Sequence, residues 1–135
     1  MYRFILLSAL IALSVACSSA SADDLDITGN WELISGSVDG QAIPSLDGSP
    51  VTFDVTGTQI GGTSACNSYG AQMVLDGSSI SIGDLTSTLM MCSPEAMAVE
   101  VPYTAALQEV DAVSLDGGEL VLTGPGIELR FALTG

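Results

Sequence analysis

The chain has 135 residues, 47% of them hydrophobic, and carries two cationic residues against sixteen acidic ones, with no histidine. This length suits one domain with its own core and is too short for two. The acidity excludes nucleic acid as a partner, because phosphate backbones would be repelled, and it excludes an anionic membrane surface unless a lipid anchors the chain.

The N-terminus is predicted to be a secretory signal peptide over residues 1–16. Met1-Tyr2-Arg3 is a short cationic start, and Phe4 to Val15 is apolar apart from two serines. An apolar segment of this length is too short for a stable membrane span, which needs about 20 residues. We therefore expect the segment to be removed during export, which places the protein in the periplasm or cell envelope.

Two cleavage sites compete. Ser14-Val15-Ala16-Cys17 resembles a lipobox, in which Cys17 becomes the acylated N-terminus, although Ser14 stands where Leu is commonest. Ala20-Ser21-Ala22 instead fits the small-x-small pattern of ordinary signal peptidase. We favour lipidation at Cys17, because a cysteine seldom closes an apolar segment by chance and the small, acidic residues 17–27 suit a flexible tether.

The predicted domain, residues 28–135, has the pattern of short strands separated by turn residues. Val51 to Val55 alternates at period two, Asp76-Gly77 is a strong hairpin signal, and Ser79 to Gly83 alternates again. In the last strand Ile127, Leu129, Phe131 and Leu133 share one face. The fold class is mainly β with one helix (α+β): about eight short antiparallel strands in a curled, barrel-like and lipocalin-like sheet.

One helix is predicted near residues 94–109. Ser93 can act as N-cap, Pro94 suits the first helical position, and Glu95 favours the positive end of the helix dipole. One apolar stripe runs along the segment, formed by Val99, Tyr103, Leu107 and Val110. Because Pro102 removes a backbone donor inside the pattern, we expect a kink or two shorter helical pieces.

Cys66 and Cys92 are the two cysteines that remain once Cys17 is lipidated or removed. In an oxidising compartment the default is a structural disulfide, worth about 3.5 kcal/mol for a loop of this length. A reduced buried pair is the alternative. A metal site would need more ligands, and a redox centre would show a Cys-x-x-Cys spacing, so we expect no metal and no cofactor.

Several motifs resemble those of the META/HslJ family of small envelope domains. They are the Gly-x-Trp opening at Gly29 and Trp31, the Cys66-Asn67 element, and Thr88-x-Met90-x-Cys92. The resemblance implies a curled antiparallel sheet with one helix, in periplasmic or lipid-anchored proteins linked to heat and antibiotic stress. Relatives often carry basic residues where this chain has Ser68 and Leu89, so a role that depends on those cations is not expected here.

The sequence favours binding over catalysis. Without His or Lys a serine nucleophile lacks its usual bases, and no Gly-x-Ser-x-Gly elbow is present. We expect a non-enzymatic monomer that binds an unknown envelope protein through an exposed apolar patch on the sheet or helix. The alternative is a carrier of a small apolar ligand, with an internal cavity of about 300 Å³ or more lined by Phe53, Ile82 and Phe131.

Arg130 is the one cation beyond the signal peptide. If the first and last strands are neighbours, Arg130 could stack on Trp31 or pair with Glu32. The alternative is a buried Trp31 and an exposed Arg130.

Overall fold

The computed structural model describes residues 25–135, so the predicted signal peptide, Cys17 and most of the predicted tether lie outside the described residues. The described chain contains ten strands and one helix. No helix within this range has the length and apolar character needed to cross a membrane. The elements are β1 Gly29–Val38, β2 Gln41–Ala42, β3 Thr52–Thr56, β4 Gln59–Thr63, β5 Ser68–Asp76, β6 Ser79–Ile82, β7 Thr86–Ser87, α1 Pro94–Glu109, β8 Ala112–Asp116, β9 Glu119–Gly124 and β10 Ile127–Leu133.

The strands form one antiparallel sheet that curls into a ring. The order is β1-β3-β4-β5-β6-β8-β9-β10, and β10 returns to pair with β1 from Trp31↔Leu133 to Val38↔Ile127. The pairing between β6 and β8 is limited to one register pair, Ser79↔Ala112. The short strands β2 and β7 pair with β1 and β5 outside this ring. The prediction of a curled antiparallel sheet of about eight strands with one helix is confirmed.

The inside of the ring is filled by side chains. Phe53 and Phe131 are fully buried, and their ring centroids lie 5.3 Å apart. Tyr103, from α1, is also fully buried and lies 6.5 Å from the Phe131 ring. The predicted cavity lined by Phe53, Ile82 and Phe131 is therefore not present, because these aromatic rings occupy the space that it would need.

The helix follows its predicted signals at the start. The Ser93 Oγ accepts a hydrogen bond from the Ala96 amide at 3.2 Å, and Pro94 is the first helical residue. The prediction of two pieces is wrong, since α1 is continuous through Pro102. Pro102 lacks the N–H that would bond one helical carbonyl, and the loss is limited to that carbonyl. The buried residues of α1 before and after Pro102 hold the helix against the core.

The domain begins earlier than residue 28. Leu25 packs against the core, Ile27 is buried within it, and the Trp31 Nε1 donates to the Ile27 carbonyl at 2.9 Å. Residues 25–27 therefore belong to the folded domain and not to a flexible tether. In the sequence, the hydrophobic Leu25 and Ile27 among small and acidic residues are the pattern that indicates this earlier start.

Arg130 does not approach Trp31. The two strands are neighbours, as predicted, but Trp31 is buried in the core while Arg130 lies between the inward-facing Leu129 and Phe131 and points outward. Its guanidinium pairs with Asp116 at 3.1 Å and with Glu128 at 2.9 Å. The hypothesis of stacking on Trp31 is wrong, since Trp31 and Arg130 face opposite sides of the sheet. The hypothesis of pairing with Glu32 is also wrong, since Glu32 lies opposite Ala132 and the guanidinium is held by Asp116 and Glu128.

Candidate functional site

Residues 88–92, here named the strap, cross the end of the β4–β5 hairpin. The Cys66–Cys92 disulfide joins the strap to the hairpin, with 5.9 Å between the two Cα atoms. The bend that carries Cys66 places Ala65 at a φ of 80°, so the chain turns sharply there. The predicted disulfide is therefore part of the structure, and it fixes the C-terminal end of the strap.

Asn67 binds the other parts of the strap. Its side-chain Oδ1 accepts hydrogen bonds from the Met90 amide at 2.7 Å and from the Thr88 Oγ1 at 2.9 Å. Its Nδ2 donates to the Glu100 Oε2 at 2.9 Å, and its backbone amide donates to the Glu100 Oε1 at 2.8 Å. One buried amide thus links the hairpin, the strap and the helix α1.

Glu100 is a buried carboxylate with three donors around it. The Ser64 Oγ contributes the third, at 2.6 Å from Oε1. Burial acts to raise the pKa of Glu100, but the hydrogen bonds from Ser64 and from both nitrogens of Asn67 favour the charged form and hold the pKa below its ordinary value. Glu100 is therefore satisfied as an anion by these hydrogen bonds, and it forms no salt bridge within residues 25–135.

Two buried tyrosines lie next to this cluster along β5 and α1. The Tyr69 hydroxyl is 2.6 Å from the Thr52 carbonyl and 2.7 Å from the Tyr103 hydroxyl. A carbonyl can only accept, so Tyr69 donates to Thr52 and must accept from Tyr103. Burial raises the pKa of both phenols. The pair therefore ties the helix to β3 and β5 as neutral groups.

A family model described as the META domain matches residues 23–134. The chain belongs to the META domain family. An NMR structure of a protein from Burkholderia xenovorans resembles this META domain with a TM-score of 0.65 and 28% identity, covering 78% of this chain and 81% of that one. A second protein solved by NMR gives a TM-score of 0.59 at 25% identity, covering 78% of this chain and 88% of the other. No curated protein matches the chain significantly.

The META motif residues separate into two groups. Cys66, Asn67, Thr88, Met90 and Cys92 come together at the strap. Gly29 and Trp31 lie instead on β1, where the ring closes: a Cβ on Gly29, whose φ is 144°, would stand 2.9 Å from the Leu133 Cδ1. The first group fixes the strap, and the second fixes the pairing of the first and last strands.

Sequence reasoning missed Ser64 and the two tyrosine hydroxyls. Ser64 is fully buried, and its Oγ donates to Glu100 and lies 3.0 Å from the Asn67 carbonyl. A small polar residue three positions before Asn67 gives no pattern that separates it from a surface serine. Because Ser64 is enclosed and already paired, its hydroxyl is placed to hold Glu100 and not to attack a substrate.

The outer side of the strap is apolar and exposed. Leu89 is 93% exposed, Met90 56% and Met91 100%. Ser68 is exposed as well, so the two positions at which relatives often carry basic residues both lie on the surface of this META domain. The hydrogen bonds beneath the strap do not use either side chain, which explains why the motif keeps its geometry here without those cations.

A cavity of about 480 Å³ lies between β1, the loop 43–50 and α1. Its apolar wall is formed by Leu33, Ile43, Leu46, Val51 and Val99. Phe53, Ile82 and Phe131, which the carrier hypothesis named, are not among its lining residues. No group of three or more metal-ligating side chains occurs among residues 25–135.

Proposed function

We propose that this META domain is a non-enzymatic binding module of the cell envelope that engages a protein partner through the strap. We further propose that the chain is exported and anchored by lipid on Cys17. The observation that carries the proposal is the run Leu89-Met90-Met91, three consecutive apolar side chains that face solvent. Contiguous exposed apolar residues on a soluble domain are typical of interaction surfaces.

The rigidity of the strap supports this role. Its backbone is held at Thr88 by the Ser68 carbonyl, at Met90 by the Asn67 side chain and at Cys92 by the disulfide. A partner that covers Leu89 and Met91 would therefore pay little conformational entropy to order the loop, which favours affinity. Methionine adapts its shape to the facing surface, so the strap suits a partner with an irregular apolar groove.

Charge restricts the partner further. Within residues 25–135 Arg130 is the one cationic side chain, and it is already paired with Asp116 and Glu128. A second copy of this chain would bring two acidic surfaces together. The partner we propose has an apolar groove with a neutral or basic rim, and its association should weaken as salt screens the charges.

Photocrosslinking in cells tests the strap. A crosslinkable residue is placed at Met91 in the full chain, and a matched control is placed at Val74, which is 66% exposed on β5. We expect one discrete protein adduct from position 91 and none from position 74. The identified partner is then titrated, purified, with wild type, the Leu89→Ser/Met91→Ser double variant and Val74→Ser.

The strap variant should bind at least about tenfold more weakly, because two apolar side chains leave the interface. The Val74 variant should bind like wild type. Equal adducts at both positions, or equal affinities for all three proteins, would contradict the proposal. Complementing a deletion strain with the same three genes, followed by heat or antibiotic exposure, tests whether strap binding contributes to stress tolerance.

Intact mass tests the anchor. Membrane-extracted protein should have the mass of a chain that begins at a diacylated or triacylated Cys17. A mass that corresponds to an unmodified chain beginning at Asp23 would contradict lipidation and support cleavage after Ala22. Repeating the measurement with reductant and a thiol-alkylating agent counts the bonded cysteines in the same sample.

The cavity beside β1 favours a second candidate function, binding of a small ligand. Its volume falls in the range of small-molecule sites, and its apolar wall is accompanied by Glu32 and Asp47, which favour a neutral or cationic molecule. Nile red, a neutral apolar dye, is a suitable probe. We expect its fluorescence to rise with wild type and with the strap variant, and to fall with Ser49→Phe, which fills the cavity. Binding that survives Ser49→Phe would contradict this candidate.

A further inference from the structure

We propose that Met91 and Met90 form an oxidation site at which hydroperoxides convert the two thioethers to sulfoxides while the domain stays folded. This inference concerns the chemistry of the strap itself, and it does not depend on the proposed protein partner.

Exposure separates the methionines of the described chain. Met91 is fully exposed and Met90 is more than half exposed, whereas Met97, on α1, is half-buried. Met73, on β5, is 4% exposed within the core. Sulfur must meet the oxidant directly, so the order of reactivity should be Met91, then Met90, then Met97, with Met73 last.

No thiol among residues 25–135 competes for the oxidant. The two cysteines in this range are joined to each other, and a disulfide lacks the thiolate that reacts first with peroxides. The Met91 and Met90 thioethers are therefore the most accessible reduced sulfur in the described chain. The acidic surface also favours a neutral oxidant, such as hydrogen peroxide, over an anionic one.

The reaction balances without a cofactor. A lone pair of the Met91 Sδ attacks one peroxide oxygen, the O–O bond breaks, and an S–O bond forms. Sulfur loses two electrons, and the proton on the transferred oxygen moves to the leaving hydroxide or alkoxide, which gives water from hydrogen peroxide or an alcohol from an organic hydroperoxide. The product is a sulfoxide, which methionine sulfoxide reductases can return to the thioether.

The structure explains why the fold should tolerate this change. The strap is held through the backbone amide of Met90, through Thr88 and through the disulfide, and none of these contacts uses a methionine sulfur. Oxidation at Met73 would instead place a polar group in the core. Oxidation at the strap therefore changes an apolar surface into a polar one without removing a stabilising contact.

The test is a time course of hydrogen peroxide treatment of the folded protein, followed by peptide mass mapping. We expect Met91 and Met90 to oxidise at least about tenfold faster than Met73. Guanidinium-unfolded protein is the control for intrinsic reactivity, and there the methionines should react at similar rates. Methionine sulfoxide reductases A and B should restore the original mass at residues 90 and 91 of the folded product.

The Met90→Leu/Met91→Leu double variant completes the experiment. Its melting temperature should equal that of wild type, and the peroxide dose that oxidises the wild-type strap should leave its mass nearly unchanged. Wild type oxidised at the strap should also melt like untreated protein. The proposal is overturned if Met73 in folded protein reacts as fast as Met91, or if oxidation confined to residues 90 and 91 lowers the melting temperature by more than the error of the measurement.

Discussion

At the scale of single residues, Asn67 makes contacts that require both the oxygen and the nitrogen of an amide side chain. Its Oδ1 accepts two hydrogen bonds from the strap, while its Nδ2 donates to Glu100 on the helix. Aspartate would lack the donor and would place a second negative charge beside Glu100, and leucine would lack both functions. An amide at position 67 accepts from the strap and donates to Glu100 at the same time, which explains the Asn of the Cys66-Asn67 element.

Replacing Asn67 with Ala should lower the free energy of unfolding by about 3 kcal/mol, because it leaves the Met90 amide and one Glu100 oxygen without partners. Urea denaturation followed by Trp31 fluorescence measures the change. Ser68→Ala is the matched control, since Ser68 is exposed and the substitution keeps the backbone that bonds Thr88. A cost below about 1 kcal/mol for Asn67→Ala would show that the strap does not need this amide.

Ionisation of Glu100 should make the free energy of unfolding depend on pH. Its pKa is lowered in the folded state, compared with about 4.3 for an unfolded glutamate. Its contribution is therefore complete above pH 4.3 or so and is lost as the pH falls through the lower folded pKa. In Glu100→Gln, Oε1 can keep its two donors only by turning its NH₂ toward the Asn67 Nδ2, which sets donor against donor.

We expect Glu100→Gln to destabilise the domain by about 2 kcal/mol at pH 7, with a smaller difference from wild type at pH 3, where the unfolded wild-type chain has bound a proton at Glu100. Urea titrations at the two pH values measure the difference. Glu32→Gln, an exposed control on β1, should differ little from wild type at either pH. A difference that is the same at pH 7 and pH 3 would contradict the assigned ionisation.

The order of donation between the tyrosines predicts unequal effects of two similar substitutions. Tyr69→Phe leaves both the Thr52 carbonyl and the Tyr103 hydroxyl without a partner, whereas Tyr103→Phe leaves the bond from Tyr69 to Thr52 intact. We expect Tyr69→Phe to cost about 1 kcal/mol more than Tyr103→Phe in unfolding free energy. Equal losses would contradict the hydrogen bond from the Tyr69 hydroxyl to the Thr52 carbonyl.

Residue-level partners were the hardest part to predict. The resemblance selected Asn67, Thr88 and Met90 correctly as motif positions, but it did not show that they share a buried glutamate with Ser64. Hydrogen bonds between residues about thirty positions apart depend on how the sheet curls. A local pattern does not contain that information.

At the scale of elements, the strap and the start of α1 act together. Ser93 caps the helix immediately after Cys92, so the disulfide and the first helical turn share one short segment. Ser93→Ala should cost about 1 kcal/mol through the lost bond to the Ala96 amide, and Ser93→Asp should keep most of the stability. Circular dichroism during thermal unfolding measures both, and equal losses in the two variants would exclude a capping role.

Periodicity predicted most strands well and failed at the strap. The alternating segments became β3, β6 and β10 within one or two residues of their predicted bounds. Within residues 85–90, which show no alternation, only Thr86–Ser87 pairs with β5. The Thr88 amide still donates to the Ser68 carbonyl on β5, but the next bonded amide, that of Met90, donates to the side chain of Asn67 and not to a neighbouring strand. A pattern of hydrophobic residues cannot show that a side chain takes the place of a neighbouring strand.

At the scale of the whole molecule, the disulfide closes a loop between residues 26 positions apart in sequence. Reduction should lower the unfolding free energy by about 3.5 kcal/mol, chiefly by freeing the unfolded chain. Denaturation with and without reductant measures this loss, and a Cys66→Ser/Cys92→Ser double variant should match the reduced protein. A reduced protein as stable as the oxidised one would contradict the structural role of the bond.

The filled interior was not predictable from the sequence. Phe53 and Phe131 were named as walls of a cavity, because alternation shows which side chains face inward but not how far apart the opposite walls lie. In the structure the two rings are in contact, and the buried Tyr103 ring packs against Phe131. The cavity of about 480 Å³ lies instead between β1 and the loop 43–50, and hydrophobic patterning does not predict it.

The pairing of β1 with β10 also has a consequence for how the protein is made. The Asn30 amide donates to the Gly135 carbonyl, and the Thr134 amide donates to the Asn30 carbonyl, so the beginning of the domain needs its last residues as partners. Such distant contacts form slowly. Residues 127–135 must therefore leave the ribosome before the ring can close, and until then the newly made strand β1 lacks one of its two neighbours.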